Sequence, residues 1–200
     1  MQVCTNFYKM LSVWGFLTFI TTTLSAQNRL QQFDDRIMID LAEHRTREKT
    51  GYVRFISDTY RYGDVAVPAG LLVAGVISKD RNMRENAAFI ASSTAISYGL
   101  TLLIKHIVRR PRPFENIKIV PVYRAASSSF PSGHTSTTFS TATALSMAYP
   151  KWYVIVPAYL WAGSVGYSRM YLGVHYPTDV GAGALLGVGS ALSMSFMRAR

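Results

Sequence analysis

Apolar positions fall into five long runs in the second two thirds of the chain. The runs are separated by Gly, Pro and charged residues, and they cover residues 65–78, 87–104, 134–149, 153–167 and 180–197. Runs of 14 to 18 residues with such boundaries are typical of helices, because strands are usually shorter. We therefore predict an all-α protein whose helical bundle occupies residues 65–200.

The first 26 residues have a different pattern. Lys9 is followed by an apolar stretch over residues 10–24 and then by the small residues Ser25 and Ala26. A basic start, a short apolar segment and small residues are typical of a secretory signal. Residues 1–26 are therefore predicted to be a signal peptide or, alternatively, a first membrane helix.

Residues 27–64 are charged but periodic. They are predicted to form an amphipathic segment that is periplasmic or lies at a membrane interface. Packing on a soluble core is the alternative. Thr50-Gly51 is predicted to separate a first helix from a second, shorter one. The apolar face of the first helix contains Leu30, Phe33, Ile37 and Leu41.

Composition favours a membrane bundle of about five or six transmembrane helices. Only 16% of the residues are charged, compared with about 25% in soluble domains. The last run is rich in glycine and alanine, which permit close helix contact in lipid. The runs are nevertheless shorter than the roughly 20 residues of a typical span. A soluble bundle therefore remains the alternative.

The basic residues predict a topology. If residue 27 lies outside the cytoplasm, the loops with Lys79, Lys151 and Arg198 are cytoplasmic, as the positive-inside rule requires. Residues 105–130 and 168–179 then meet at the outer face. We predict a bacterial inner-membrane protein with its functional residues facing the periplasm. The net charge is +10, but the sequence has no basic stripe with interleaved aromatic residues, so nucleic acid is not an expected partner.

The outer-face loops contain residues suited to phosphate chemistry. Phosphoryl transfer requires cations around the phosphate oxygens, a nucleophile in line and an acid for the leaving oxygen. Guanidinium groups and a lysine would supply the cations, and a helix that begins near residue 133 would present free amides to the anion. The candidate phosphate ligands are Lys105, Arg112, Ser132, Gly133 and Arg169.

Two histidines provide candidates for the reactive groups. A neutral imidazole is a competent nucleophile, and a protonated imidazole can donate to a leaving alkoxide. His134 and His175 can divide these roles, and Asp179 can orient one ring through its Nδ1–H. Pro177 suits the first turn of a helix, which would place His175 and Asp179 at one helix start.

The three segments together resemble the signature of the type 2 phosphatidic acid phosphatase superfamily. The matching residues are Lys105-x6-Arg112-Pro113, Pro131-Ser132-Gly133-His134 and Ser168-Arg169-x5-His175-x3-Asp179. This superfamily includes membrane lipid phosphatases, class A acid phosphatases and vanadium haloperoxidases. The resemblance implies that His175 is the nucleophile, Asp179 its orienting partner and His134 the general acid. It also implies hydrolysis without a metal or another cofactor.

The function expected from this resemblance is hydrolysis of a lipid-linked phosphomonoester or diphosphate through a phosphohistidine intermediate. A soluble periplasmic acid phosphatase is the first alternative, because it needs the same residues without a membrane. A vanadate-dependent haloperoxidase is less compatible with a chain of 200 residues. A membrane protein that binds lipid phosphates without turnover is the remaining alternative.

Overall fold

The computed structural model describes residues 28–199, and this part of the chain is helical with no β-strand. The predicted all-α bundle is therefore confirmed. Residues 1–26, predicted to be a signal peptide or membrane helix, lie outside the described range. The helices in chain order are α1 (28–43), α2 (Arg47–Ile77), α3 (Arg81–Val108), α4 (Pro113–Asn116), α5 (Gly133–Ala148), α6 (Trp152–Tyr171) and α7 (Pro177–Ser193), followed by a short 3₁₀ turn (Ser195–Met197).

Helix α2 differs from the prediction. It begins after Thr46, whose side chain accepts a hydrogen bond from the amide of Lys49, and it continues without a break to Ile77. The predicted break at Thr50-Gly51 is therefore wrong, and the predicted segment boundary after residue 64 falls inside one helix. Glycine lowers helix propensity by only about 1 kcal/mol, which packing of the surrounding turns can offset.

The hydroxyl-rich helix α5 lies at the centre of the bundle and packs against α2, α3, α6 and α7. Most of its Ser and Thr side chains are buried. Several of these hydroxyls donate to carbonyls of the preceding turn, as Thr138 does to His134 at 2.8 Å. Others bond to neighbouring helices, including Thr141 to Thr94 at 2.8 Å. Buried hydroxyl groups with such partners are tolerated in an apolar bundle.

Small residues bring α7 against α5. A Cβ at Gly187 would lie 2.2 Å from the carbonyl oxygen of Ser136, and one at Gly183 would lie 2.7 Å from that of Ser132. Only glycine permits this approach, as the sequence analysis expected for the last apolar run. Gly181 is different, because a Cβ there would meet no atom within 4 Å.

Large apolar side chains cover much of the outer surface. Exposed examples include Leu72, Leu103, Leu160 and Leu185 on four different helices. Among residues 28–199, one helical stretch, Arg81–Asn116, is long and apolar enough to cross a membrane, with a mean hydropathy of 1.6. The number of spans, predicted as five or six, stays a prediction.

Helix α1 packs on the bundle with a different face from the one predicted. Leu30 and Phe33 are more than half exposed, whereas Asp34 and Met38 on the same helix are fully buried. Met38 packs with Tyr176 in a small apolar cluster under the loops. The apolar periodicity of α1 therefore did not identify the side that contacts the protein, because the buried face contains a carboxylate.

Candidate active site

All eight predicted site residues lie at one end of the bundle. Each is placed by a helix end or by the loop next to one. Lys105 is near the end of α3, Arg112 is the N-cap of α4, Ser132, Gly133 and His134 begin α5, Arg169 is in the last turn of α6, His175 precedes α7, and Asp179 is in its first turn. Three sequence segments therefore meet at one face, as their topology predicted.

Seven of these residues surround or support one cavity of about 510 Å³. Six of them line it directly: Lys105, Arg112, Gly133, His134, Arg169 and His175. Asp179 lies behind His175 and is fully buried. The rim adds Arg54 and Arg61, with Asp58 as an opposing charge. The excess of cations makes the cavity suited to a multiply charged anion.

His175 and Asp179 form the centre of the site. The Nδ1 of His175 lies 3.7 Å from the Oδ2 of Asp179, which is longer than a hydrogen bond. This Nδ1 is buried without another partner among the described residues. Separations of this kind often shorten when substrate binds. The carboxylate is thus placed to accept the Nδ1–H and leave Nε2 free.

Arg112 occupies the opposite side of the imidazole. Its Nη1 donates to the carbonyl of Val174 at 2.6 Å and lies 3.4 Å from the Nε2 of His175. A guanidinium can only donate, so this contact requires an unprotonated Nε2. Burial lowers the pKa of His175 to about 3, and the nearby Arg169 and Arg112 add to this effect against the opposing carboxylate of Asp179. The ring is therefore neutral at ordinary pH.

The carboxylate of Asp179 is held at both oxygens. Oδ1 accepts a hydrogen bond from Arg110 at 2.6 Å. Oδ2 accepts one from the amide of Tyr176 at 3.0 Å and another from the hydroxyl of Ser129. The Tyr176 contact satisfies the N-cap amide at the start of α7. These bonds fix the rotamer of Asp179 and direct Oδ2 towards His175.

The other cations are also fixed by the protein. Arg169 is 2% exposed, donates to the hydroxyl of Ser57 at 2.7 Å and lies over the ring of Tyr123. Lys105 donates to the carbonyl oxygens of Ser128 and Ser129. A set of cations held in place before the ligand arrives needs little reorganisation on binding.

The start of α5 provides the remaining groups. Gly133 lines the cavity, and the first amides of this helix have no intrahelical acceptor. The ring of His134 lies against Tyr60, with ring centroids 3.7 Å apart. Ser132 does not line the cavity. It is fully buried, and its hydroxyl accepts a hydrogen bond from Thr135 at 2.8 Å, so its predicted contact with phosphate stays a prediction.

Three residues of this site were not predicted from the sequence. Tyr60 positions the ring of His134, and Arg110 contacts Asp179 directly. Asp34 contacts Arg110 from α1, at 2.8 Å. Arg110 stands among other basic residues and Asp34 within a charged helix, so neither had a distinguishing local pattern.

A family model described as the PAP2 superfamily matches residues 86–200, more than half of the chain. The chain belongs to the PAP2 superfamily. This confirms the resemblance drawn from the three motif segments, all of which lie inside the matched range. The PAP2 match does not include α1 or α2.

Named relatives of this PAP2 protein match over similar lengths. The decaprenylphosphoryl-5-phosphoribose phosphatase of Mycobacterium tuberculosis is 36% identical over 120 residues, which are 58% of this chain and 63% of that protein. The undecaprenyl-diphosphatase of Sulfolobus acidocaldarius is 35% identical over 111 residues, 54% of this chain and 52% of that protein. The chain thus matches about half to two thirds of the length of these relatives.

A solved structure matches this chain over a larger share of both chains than these relatives do. The crystal structure of Aquifex aeolicus LpxE has a TM-score of 0.69 and 25% sequence identity, and the match covers 81% of this chain and 94% of that one. The helical architecture that carries the signature is therefore shared over nearly all of a known structure.

Proposed function

We propose that the protein is a phosphatase that hydrolyses a phosphomonoester or diphosphate of a membrane lipid through a phosphohistidine intermediate. The observation that carries this proposal is the arrangement of His175 in one cavity with Lys105, Arg112 and Arg169. Three fixed cations suit the equatorial oxygens of a transferring phosphoryl group. The names of the relatives, which include phosphatases of polyprenyl-linked substrates, support the same reaction class.

The reaction follows from the two ring nitrogens of His175. With the Nδ1–H directed to Asp179, the lone pair of Nε2 attacks phosphorus while the bond from phosphorus to the leaving oxygen breaks. His134, which is protonated once the anionic substrate is bound, donates a proton to that oxygen. A water then attacks the phosphohistidine, His134 accepts its proton, and the Nε2–P bond breaks to release phosphate. The positive charge that develops on His175 is stabilised by the carboxylate of Asp179.

An apolar groove next to the phosphate cavity supports a lipid substrate. The groove has a volume of about 770 Å³ and lies between α2 and α3. Its walls include Leu72, Ala91 and Ala95, and it shares Tyr60 and Tyr98 with the phosphate cavity. A lipid phosphate bound at His175 would place its hydrocarbon chain along this groove, where apolar contact favours it.

The outer surface supports a location in a bilayer. Glycines bring α7 close to α5, whereas large apolar side chains face outwards on α2, α3, α6 and α7. In water such a surface would be costly, but in lipid it is solvated. We place the protein in a bacterial inner membrane with the cavity on the periplasmic side, because that orientation agrees with the positive-inside rule.

The test of the reaction is phosphate release by purified, detergent-solubilised protein. The panel would contain undecaprenyl diphosphate, undecaprenyl phosphate, phosphatidate and phosphatidylglycerol phosphate, each with EDTA present. Turnover of at least one lipid phosphate, lost in His175→Ala, is the expected result. Full activity of His175→Ala, or no turnover of any member of the panel by the wild type, would contradict the proposal.

Binding of the lipid chain in the groove is tested separately, by a substitution that fills the groove. Ala95→Trp places a large ring inside it, whereas Ile96→Trp changes a neighbouring residue that does not line it. We expect Ala95→Trp to raise KM for the long-chain substrate and to leave hydrolysis of a short, soluble phosphate ester unchanged. Equal effects of Ala95→Trp on both substrates would argue against the groove as the lipid site.

The soluble alternative has its own test. Washed membranes would be extracted with carbonate or high salt, and the protein would be followed by immunoblotting. Retention until detergent is added is expected for a protein with lipid-facing helices. Release by carbonate alone would favour a soluble periplasmic acid phosphatase.

A further inference from the structure

Helix α1 reaches the active site through a buried carboxylate. Asp34 is fully buried, and its Oδ1 accepts a hydrogen bond from the amide of Thr178 at 3.0 Å. Its Oδ2 accepts a bond from Nη2 of Arg110 at 2.8 Å and another from the hydroxyl of Thr178. A buried carboxylate that accepts bonds from these donors at both oxygens is held in one orientation.

Arg110 connects this carboxylate to the catalytic one. Its Nη2 contacts Asp34, while its Nη1 contacts Oδ1 of Asp179 at 2.6 Å and the hydroxyl of Thr178 at 2.7 Å. The guanidinium also lies over the ring of Tyr176, 4.1 Å from its centroid. One planar cation thus joins two buried carboxylates on different helices, a geometry that the fork of arginine permits.

The connection helps to determine which oxygen of Asp179 faces His175, together with the bonds that Oδ2 accepts from the Tyr176 amide and the Ser129 hydroxyl. Arg110 holds Oδ1, so Oδ2 is the oxygen that remains 3.7 Å from the Nδ1 of His175. Without Asp34, the charge of Arg110 would be balanced by Asp179 alone, and its Nη2 would keep only the uncharged Oε1 of Gln31, which accepts a bond at 2.9 Å. The guanidinium would then compete more strongly with His175 for the same carboxylate.

We propose that Asp34 and Arg110 are positioning residues for the His175–Asp179 pair, so that α1 completes the active site. Neither residue lines the phosphate cavity, and Asp34 lies outside the range matched by the family model. The inference rests on the proposed function, because it concerns the orientation of the proposed nucleophile. Its effect is on the tautomer and placement of the His175 ring, not on phosphate binding.

Two substitutions test this role against a matched control. Asp34→Asn keeps the shape of the side chain but can direct an amide towards Arg110. Arg110→Lys keeps the charge but replaces the fork with a single ammonium, which cannot reproduce the bonds to both carboxylates. The control is Asp40→Asn, because Asp40 is an exposed carboxylate on the same helix that pairs with His44.

The kinetic readout is the division between kcat and KM. Loss of the outer hydrogen-bond partner of a metal-bound histidine lowers activity about 10- to 100-fold, and we take the same range for the support of His175. We expect a fall of this size in kcat for both variants, a change of no more than about twofold in KM, and no further loss in the double variant, because the two residues act as one unit. Values of kcat equal to those of Asp40→Asn, or losses that multiply in the double variant, would overturn the proposal.

A second readout does not require turnover. In protein labelled with ¹⁵N-histidine, the ring nitrogen shifts of His175, assigned with His175→Gln, report its tautomer. The wild type and Asp40→Asn should show the Nδ1–H form, and both test variants should show a mixture of tautomers. An unchanged Nδ1–H form in folded Arg110→Lys would overturn the inference even if Asp34→Asn failed to fold. Inactive wild-type protein with the expected shifts would instead contradict only the proposed function.

Discussion

Replacing Asp179 by asparagine removes one charge from the centre of the site and changes its hydrogen bonds. Both carboxylate oxygens accept bonds, Oδ1 from Arg110 and Oδ2 from the Tyr176 amide and the Ser129 hydroxyl. An asparagine has only one acceptor oxygen, so its NH₂ group must face donors on one side or the other. Either orientation disturbs the support of His175.

The size of the effect follows from the distance between the two charges. As His175 attacks phosphorus its ring becomes positive, with Nδ1 3.7 Å from Oδ2 of Asp179. At an effective dielectric constant of about 20, two unit charges at this distance interact by about 4 kcal/mol. Removing this stabilisation from the transition state lowers kcat by about 10³-fold.

The assay is single-turnover and steady-state phosphate release from the preferred lipid phosphate, compared with inhibition by vanadate as a measure of anion binding. Asp179→Asn should lose about 10³-fold in kcat, while the vanadate inhibition constant changes little because the three cavity cations remain. Asp80→Asn is the control, since Asp80 is the exposed N-cap of α3 and asparagine also caps helices well. A loss below about tenfold in folded Asp179→Asn would refute the proposed role of the carboxylate.

Three further predictions concern binding, packing and pH. Arg169→Lys should weaken vanadate inhibition at least tenfold, because an ammonium cannot keep the bond to Ser57 and also present a planar fork to the anion. Unchanged inhibition would show that Arg169 does not bind the anion. Gly187→Ala should lower the melting temperature strongly, since its Cβ would meet the Ser136 carbonyl oxygen at 2.2 Å, whereas Gly181→Ala should leave the melting temperature unchanged. Equal melting temperatures of the two variants would contradict the close contact between α5 and α7. The pKa of His175 is about 3 in the folded protein against an ordinary value of 6.5, so the unfolded state gains the proton first and the free energy of unfolding should fall as pH drops from about 6.5 towards 3. His175→Gln should reduce this dependence of the unfolding free energy on pH, measured by denaturant titration. An unchanged dependence would refute the lowered pKa of His175.

The sequence predicted the catalytic end of the protein well because its signals are local. His175 and Asp179 stand four residues apart across a helix start, and Pro177 marks that start. Gly133 likewise begins α5 after a proline and a serine. Such short-range spacing determines the local geometry almost independently of the remaining chain. The expectation that the helix starts meet at one face came from the alternation of the apolar runs and from the resemblance of the three segments.

The sequence did not predict contacts that depend on tertiary packing. Asp34 and Arg110 are 76 residues apart, and only the docking of α1 brings them together. Ser132 is a different case, because it is buried outside the cavity lining and accepts a hydrogen bond from Thr135, a local partner three residues along the chain. The break predicted at Thr50-Gly51 failed for a related reason, because packing of α2 along the bundle outweighs the local preference of one glycine.

The most direct test of the mechanism is identification of the phosphorylated residue. His134→Gln removes the base for the second step and also the acid for the first. The substrate is therefore a lipid diphosphate labelled with ³²P in its terminal phosphate, because its phosphate leaving group departs with little help from an acid. The intermediate should accumulate when this variant is mixed with the labelled diphosphate and quenched rapidly under alkaline conditions. Peptide mapping by mass spectrometry should find the phosphate on Nε2 of His175, and His134→Gln/His175→Gln should carry none. Two results would contradict nucleophilic attack by His175. One is hydrolysis of substrate by the wild type with no labelled protein in rapidly quenched samples of the wild type and of His134→Gln, and the other is a label on another residue.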